Sequence, residues 1–300
     1  MTRNNDNTAL ASCVSAGDDF LTKPINPVIL NFKLQALQRI RTMYDKLNEY
    51  QRNTEEELET SKHIFNAFIN NVNHDVSNLS FWANSPGHFS GDTGLFKSLA
   101  NGHVYVLLCD FTGHGLPAAI GTVFVADLFR SMTKKMLEAE VILDEINDKM
   151  NQILPTGRYC AAAMLDYDPA KAFLTVWNCG LPSAYLIDEN NMILEEFPSA
   201  GVPLGVLKGK IQCEGVGLSV KHAKSIIMYS DGVTEAENPQ GAMYTECRLQ
   251  KCIENAKKDT DTFKEIKQSV EKFMDGMQPS DDISLIVLDL NQNSLEAIRE

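Results

Sequence analysis

The sequence lacks any long hydrophobic run and any excess of basic residues. No stretch approaches the roughly 20 apolar residues of a membrane-spanning helix, and residues 1–8 are too polar for the core of a signal peptide. The 27 Lys and Arg are outnumbered by 40 Asp and Glu, which gives a formal net charge of −13. That balance argues against a nucleic-acid or anionic-membrane surface. We therefore expect a cytoplasmic protein with no nucleic-acid partner and no membrane partner.

Paired cysteines are also missing. Seven cysteines lie at positions 13, 109, 160, 179, 213, 247 and 252, and no two of them form a CxxC pair. This spacing argues against a zinc site and is typical of small core residues in a reducing compartment. A hydrophobic content of 44% with 22% charged residues is that of a soluble globular protein. The 300 residues suffice for one large domain or two ordinary ones.

The region 27–71 has the pattern of one long helix. Asn26 can cap it, Pro27 suits the first helical position, and no Gly or Pro interrupts residues 28–71. Such a helix is roughly 60 Å long at 1.5 Å per residue, so we expect a coiled-coil linker that forms a homodimer. The alternative is a helix that folds back on its own domain. The apolar stripe comprises Leu30, Leu34, Leu37, Ile40, Met43, Tyr44, Leu47, Leu58, Ile64, Phe65 and Phe68.

The region 72–291 combines hydrophobic strands with helices. Their order predicts a layered sandwich of sheets and helices, followed by a polar tail at 292–300. The predicted strands are 104–109, 161–167, 173–178, 184–188, 225–229 and 283–290, and the predicted helices are 117–135, 141–154, 246–256 and 262–274.

Four aspartates, Asp92, Asp110, Asp231 and Asp281, lie at predicted strand ends, each beside a glycine or a second acid. Hard divalent cations take oxygen ligands from carboxylates and carbonyls. A carboxylate cluster at the edge of a sheet could hold metal ions that activate water. A single one of these aspartates is uninformative, because Asp-Gly at the end of a strand is usually a turn.

Their order along the chain is more specific. The segments SGD, DFTGHGLPAA, NCGLPSAYLI, SDGVTEAEN and DDISLIVL follow one another within residues 81–290. In order and spacing they resemble the SpoIIE/RsbU branch of the PPM metal-dependent serine/threonine phosphatases. The resemblance implies an α+β fold, an α-β-β-α sandwich of two antiparallel sheets flanked by helices. It also implies two Mn²⁺ or Mg²⁺ ions at one edge of the sandwich.

The resemblance assigns roles to individual positions. It makes Asp92, Asp110, Asp231 and Asp281 metal ligands and the catalytic acids, with Asp110 bridging both ions and the carbonyl of Phe111 beside it. His114 could be a general acid, but a supporting contact that orients the tight turn is the preferred role. Many relatives carry a second acid where this chain has Leu95, which leaves that position without a ligand. Supporting positions around the ligands are Gly91, Gly113, His114, Gly115, Gly232 and Asp282.

The function implied is that of a hydrolase in bacterial two-component and partner-switching signalling. The family acts on a phosphorylated protein, typically an anti-sigma-factor antagonist, by means of metal-activated water. One alternative is a degenerate domain that binds a phosphorylated partner without turnover, and Leu95 keeps this alternative open. Another is a dimeric scaffold, which does not explain the acids at the strand ends.

Residues 1–26 resemble the C-terminal remnant of a response-regulator receiver domain. Lys23 before Pro24 matches the lysine that contacts the phosphorylated aspartate in that family. The alternative is a frayed segment with an accidental Lys-Pro. The predicted divisions are therefore 1–26, 27–71, 72–291 and 292–300.

Overall fold

The computed structural model describes residues 24–70, 76–87, 89–113, 115–256 and 260–290. The chain divides into two compact units, Met1–Thr60 and Ser61–Glu300. The receiver-like segment, including Lys23, and the tail at 292–300 lie outside the described residues, apart from 24–26. Both assignments and the predicted domain boundaries stay predictions. Within the described parts of the chain, no helix is both long and apolar enough to cross a membrane.

The predicted long helix is present as α1 (Pro27–Asn70). The Asn26 side chain caps it by accepting a hydrogen bond from the backbone N–H of Val28 at 2.9 Å. In the first unit its large apolar side chains are exposed, with Met43 at 72% and Leu47 at 53%. The last turns of α1 belong to the second unit and are packed there. The rings of Phe65 and Phe89 meet edge-on, with 5.9 Å between their centroids.

The described residues of the second unit form two five-stranded sheets in which every pairing is antiparallel. The first sheet has the order β1-β10-β9-β6-β7 and the second β2-β3-β4-β5-β8. The strands are β1 (Leu79–Asn84), β2 (Thr93–Ser98), β3 (Val104–Phe111), β4 (Cys160–Asp168), β5 (Phe173–Cys179), β6 (Ala184–Ile187), β7 (Ile193–Phe197), β8 (Val216–Ser219), β9 (Ser225–Tyr229) and β10 (Ile283–Asp289).

Helices cover the outer faces of both sheets. They are α2 (Leu116–Lys134), α3 (Ala139–Ile153), α4 (Asp231–Glu235), α5 (Glu246–Asn255) and α6 (Thr262–Met274). One apolar cluster joins the second sheet to α2 and α3, another lies between the sheets, and a third joins the first sheet to α5 and α6. The predicted α-β-β-α sandwich is therefore confirmed.

Alternation along β3 shows how the layers arise. Val106 and Leu108 face the other sheet, whereas Leu107 and Cys109 face the helices, and all four are fully buried. Successive side chains of a strand point to opposite faces, so a strand covered on both faces is a continuous apolar run. The same alternation decides which side chains near the strand ends can meet.

Candidate metal site at the edge of the sandwich

The topology brings the four predicted aspartates to one edge of the sandwich. Asp92 precedes β2, and Asp110 is the penultimate residue of its antiparallel partner β3. Asp231 follows β9, and Asp281 lies just before β10, which pairs antiparallel with β9. Because the end of one antiparallel strand lies beside the beginning of its neighbour, each sheet contributes two of the acids.

Three of these acids line one cleft of about 480 Å³. Asp110 comes from the second sheet, and Asp231 and Asp281 come from the first. The other lining residues are Phe111, Thr112, Gly113, Tyr159, Ala161, Gly180, Leu181 and Pro182. A larger groove of about 730 Å³ lies between α5 and α6, but Glu265 is its one acidic lining residue among those described. We therefore place the candidate site in the smaller cleft, because three of the four predicted acids line it.

Asp92, the fourth acid, is buried beneath the cleft. It is 5% exposed, and neither carboxylate oxygen has a hydrogen-bond partner among the described residues. Burial raises the pKa of Asp92 well above its usual value, and the nearby charge of Asp110 raises it further. The nearby hydroxyls of Ser230 and Ser284 lower the pKa of Asp92 only in part, and neither makes a well-formed hydrogen bond to its carboxylate. A buried carboxylate without partners is costly, and a bound cation would satisfy it.

Repulsion extends across the cleft. Burial raises the pKa of Asp110 to about 7, and the charges of Asp231 and Asp281 contribute. The pKa of Asp231 is raised by burial and then by Asp281. Like charges that share a site disfavour each other's ionised form. The acids therefore lie close enough to interact, and a positive charge among them would relieve the repulsion.

Asp282 joins the loops of the two sheets. Its Oδ2 accepts a hydrogen bond of 2.5 Å from the backbone N–H of Gly91, the residue before Asp92. A Cβ on Gly232 would overlap the backbone of Asp282, with its carbonyl carbon 2.8 Å away. Glycine at position 232 is therefore required by the close approach of the loop after β9 to the loop before β10. The hydrogen bond to Gly91 thus joins the two sheets, and the close approach of Gly232 joins the two acid-bearing loops of the first sheet.

Other predicted positions fall around this cluster. Phe111 and Gly113 line the cleft, and Gly115 precedes α2 with a φ of 82°. His114 lies outside the described residues, so its role stays a prediction. Leu95 is fully buried in the cluster that faces α2 and α3. An acid at position 95 would thus lie on the opposite face of β2 from Gly94, which meets the first sheet.

Three further residues support the site although their sequence context predicts no role for them: Ser230, Ser284 and Arg158. Ser230 Oγ accepts a hydrogen bond from the backbone N–H of Ser284 at 2.9 Å, which ties β9 to β10 behind the acids. Ser284 interrupts the apolar run Ile283–Asp289, and this polar residue in a buried strand was the sequence feature that could have identified it. Arg158 donates to the carbonyl of Thr112 at the mouth of the cleft, and no pattern in the sequence marks it.

The donor set fits a divalent cation in its chemistry. The candidate ligands are all oxygen atoms, as Mg²⁺ and Mn²⁺ prefer, and the buried oxygens of Asp92 are unsatisfied. In the described part of the chain, however, no three carboxylate, imidazole or thiol side chains are grouped around a common point. The four acids lie at the same edge of the sandwich and repel one another, but their side chains do not surround one point as the ligands of a bound metal would.

Comparison with solved structures defines the class of fold. The SiaA-PP2C domain of Pseudomonas aeruginosa superimposes with a TM-score of 0.68 at 14% identity, covering 80% of this chain and 98% of that one. RsbX in complex with magnesium gives a TM-score of 0.52 at 17% identity, covering 73% and 98%. At these identities the likeness establishes the fold alone, which is that of PP2C-type phosphatases.

The sequence establishes the family. Residues 100–291 match the family model of stage II sporulation protein E (SpoIIE), and the chain belongs to this family. The phosphoserine phosphatase RsbP of Bacillus subtilis (strain 168) is 22% identical over 192 residues, which cover 62% of this chain and 47% of RsbP. The chain thus matches about half the length of this curated relative. The resemblance drawn from the motifs is confirmed, and the family's enzymes are hydrolases.

Proposed function

We propose that this protein is a metal-dependent protein serine/threonine phosphatase. The observation that carries the proposal is the meeting of acids from both sheets at one cleft, in a chain of the SpoIIE family. Asp92, Asp110, Asp231 and Asp281 would hold the metal, together with the carbonyl of Phe111. A pair of Mn²⁺ or Mg²⁺ ions bound there would supply activated water and neutralise the phosphoryl oxygens.

The chain's own residues shape the reaction. Asp282 accepts a hydrogen bond from the N–H of Gly91 and so holds the loop that carries Asp92. This contact keeps the acids of the second sheet close to those of the first. No cysteine or histidine is among the described residues that line the cleft, and the buried cysteines lie in the apolar core. A mechanism without a protein nucleophile suits this lining. The cleft opens to solvent beside Tyr159, which is 38% exposed, so a phosphorylated side chain of a folded protein can enter.

The substrate we propose is phosphoserine or phosphothreonine on a partner-switching protein of the anti-sigma-factor-antagonist type. Family membership supports this class, and the related RsbP is named a phosphoserine phosphatase. The net charge of −13 would repel a strongly acidic partner, so we expect the surface around the phosphorylated residue of the partner to be neutral or basic.

The test is Mn²⁺-dependent hydrolysis of p-nitrophenyl phosphate by the full chain. Asp110→Ala and Asp231→Ala should each lower the rate at least about 10²-fold if each holds an ion that stabilises the transition state. Asp127→Ala is the matched control, because Asp127 lies on α2 in an exposed pair with Arg130. Full activity in either cleft variant would contradict the proposal.

A binding module without turnover is the second candidate. The absence of a closed ligand cage among the described side chains favours it. Leu95 does not, because its side chain faces the helices rather than the acids. Tight binding of a phosphoserine peptide by a wild type that shows no turnover at saturating Mn²⁺ would support the module. Turnover that depends on Asp110 would exclude it.

We further propose that α1 forms a homodimer and thereby influences assembly of the site. The part of α1 in the first unit carries large apolar side chains that are exposed, such as Leu37 (47% exposed) and Leu47 (53% exposed), and these support a dimer. Leu37→Lys combined with Leu47→Lys should convert a dimer into a monomer in light scattering and lower the phosphatase rate. Gln38→Lys, another exposed position on α1, is the control. A wild type that is monomeric at micromolar concentration would refute this proposal.

A further inference from the structure

The mouth of the cleft is an extension of the β3–β4 ladder. The last ladder pair is Phe111 with Cys160. One residue further on, the backbone N–H of Thr112 donates to the carbonyl of Tyr159 at 3.1 Å, and the N–H of Tyr159 donates to Thr112 Oγ1 at 3.0 Å. Both residues line the cleft. These bonds hold the segment that begins with Arg158 against the metal-site loop.

Arg158 lies at this mouth of the cleft, next to Tyr159. Its Nη1 donates to the carbonyl of Thr112 at 2.7 Å. A Cβ on Gly113 would overlap Nη1 and lie 3.1 Å from Cζ of Arg158. The guanidinium therefore occupies space that only a glycine leaves open, and Gly113 also has a φ of 81° that other residues rarely adopt. The absence of a side chain at position 113 therefore lets the guanidinium lie directly against the loop that carries Asp110.

Besides its hydrogen bond to the loop, Arg158 brings a positive charge to the mouth of the cleft. The described lining of the cleft contains three aspartates and no lysine or arginine. Arg158 is exposed and makes no ion pair with any carboxylate of the described residues. A guanidinium has five N–H donors, and Thr112 is the described acceptor for one of them. The remaining donors form the planar fork that suits two oxygens of a phosphate.

We infer that Arg158 is a substrate-binding residue, whose remaining N–H groups donate to the non-bridging oxygens of the phosphoryl group as it enters the cleft. The inference rests on the proposed phosphatase function and adds a residue to it. A phosphate monoester is an anion, and a fixed cation at the mouth of the cleft attracts it at the point of entry.

The test compares Arg158→Ala, Arg158→Gln and Arg158→Lys in the full Mn²⁺-loaded chain. We measure KM and kcat for p-nitrophenyl phosphate and the inhibition constant of inorganic phosphate. Loss of a charge-assisted hydrogen bond should raise KM and the phosphate inhibition constant about tenfold or more, with a smaller change in kcat. Arg158→Lys should recover part of the loss, because it keeps the charge without the fork. Arg248→Ala is the control, since that guanidinium stacks on Phe273, 4.9 Å from the ring centroid.

The opposite pattern would overturn the inference. If Arg158 only braces the Thr112 carbonyl, Arg158→Ala lowers kcat while KM and the phosphate constant stay unchanged. Thermal unfolding of each variant identifies any that fail to fold, and the Gln and Lys variants then decide. Calorimetric titration of the Mn²⁺-loaded protein with inorganic phosphate gives a readout without turnover. If the wild type binds phosphate tenfold more tightly than Arg158→Ala but hydrolyses nothing, the inference stands and the proposed function fails. If the wild type does not bind phosphate, the inference fails.

Discussion

The repulsion among the acids predicts that the metal-free protein gains stability when Asp110 loses its charge. Burial and the neighbouring acids raise the pKa of Asp110 from 3.8 to about 7 in the folded chain. Between these values the folded state binds a proton that the unfolded state has released. Stability therefore falls as the pH rises through this window, by about 1.4 kcal/mol per pH unit for one group. Over roughly three units the loss is at most about 4 kcal/mol.

Asp110→Asn removes this titration. At pH 4 we expect the variant to lie within about 1 kcal/mol of the wild type, and at pH 8 to be about 2–4 kcal/mol more stable. The pKa of Asp92 should fall in the same variant, because the charge of Asp110 helps to raise it. Asp127→Asn, the exposed control, should change stability by less than about 1 kcal/mol at either pH. Urea unfolding in EDTA at pH 4, 6 and 8 measures these differences.

Adding Mn²⁺ should reverse the order. A ligand that binds only the folded state stabilises it by mass action, so the wild type should gain stability from the metal and Asp110→Asn should gain much less. An Asp110→Asn variant that is less stable than the wild type at pH 8 in EDTA would refute the reasoning. So would an unchanged dependence of stability on pH, because Asp110 would then not lie in a field of repelling carboxylates.

Three further outcomes follow from the contacts around the site. Leu95→Asp should destabilise the protein by about 3 kcal/mol or more, because it buries an unpaired charge in the helix-facing core; it should not tighten Mn²⁺ binding, and urea unfolding with metal titration checks both. Gly232→Ala should lower the Mn²⁺-dependent rate at least tenfold through its clash with Asp282, whereas Gly87→Ala, where the nearest atom is 3.6 Å away, should leave that rate unchanged. Asp282→Ala should lower the rate more than Asp282→Asn, since an amide oxygen can still accept the hydrogen bond from Gly91; equal losses would show that the charge of Asp282 matters instead.

The strands that the sequence predicts are the inner ones. β3, β4, β5, β6, β9 and β10 each have a neighbour on both sides, and most of their residues are buried. The four that it misses, β1, β2, β7 and β8, are the edge strands of the two sheets. β7 and β8 are mostly exposed, and the glycine at position 94 weakens the pattern of β2. An edge strand pairs on one side only, so its sequence need not be a continuous apolar run.

The acids of the site are predictable from the order of the motifs, but their geometry depends on the strand pairing. The spacing of Asp92 and Leu95 gives no hint that Leu95 packs under the helices while Asp92 is buried next to Asp110. That distinction needs the register of β2 against β3 and the alternation of faces. Residues that act through the backbone, such as Ser230 and Arg158, leave no periodic signal because their partners are backbone atoms of distant segments.

The same geometry explains why a repelling cluster can persist in a folded protein. Each sheet edge is supported by two covered faces of apolar side chains, and the hydrogen bond from Gly91 to Asp282 joins the two edges. Asp110 lies within the β3–β4 ladder and Asp92 directly precedes β2, so strand pairing holds these two acids in place. The core therefore holds the charges together in the absence of a cation. The lower stability that we predict for the metal-free protein above pH 7 is then a direct consequence of acids that the fold holds together when no cation is bound.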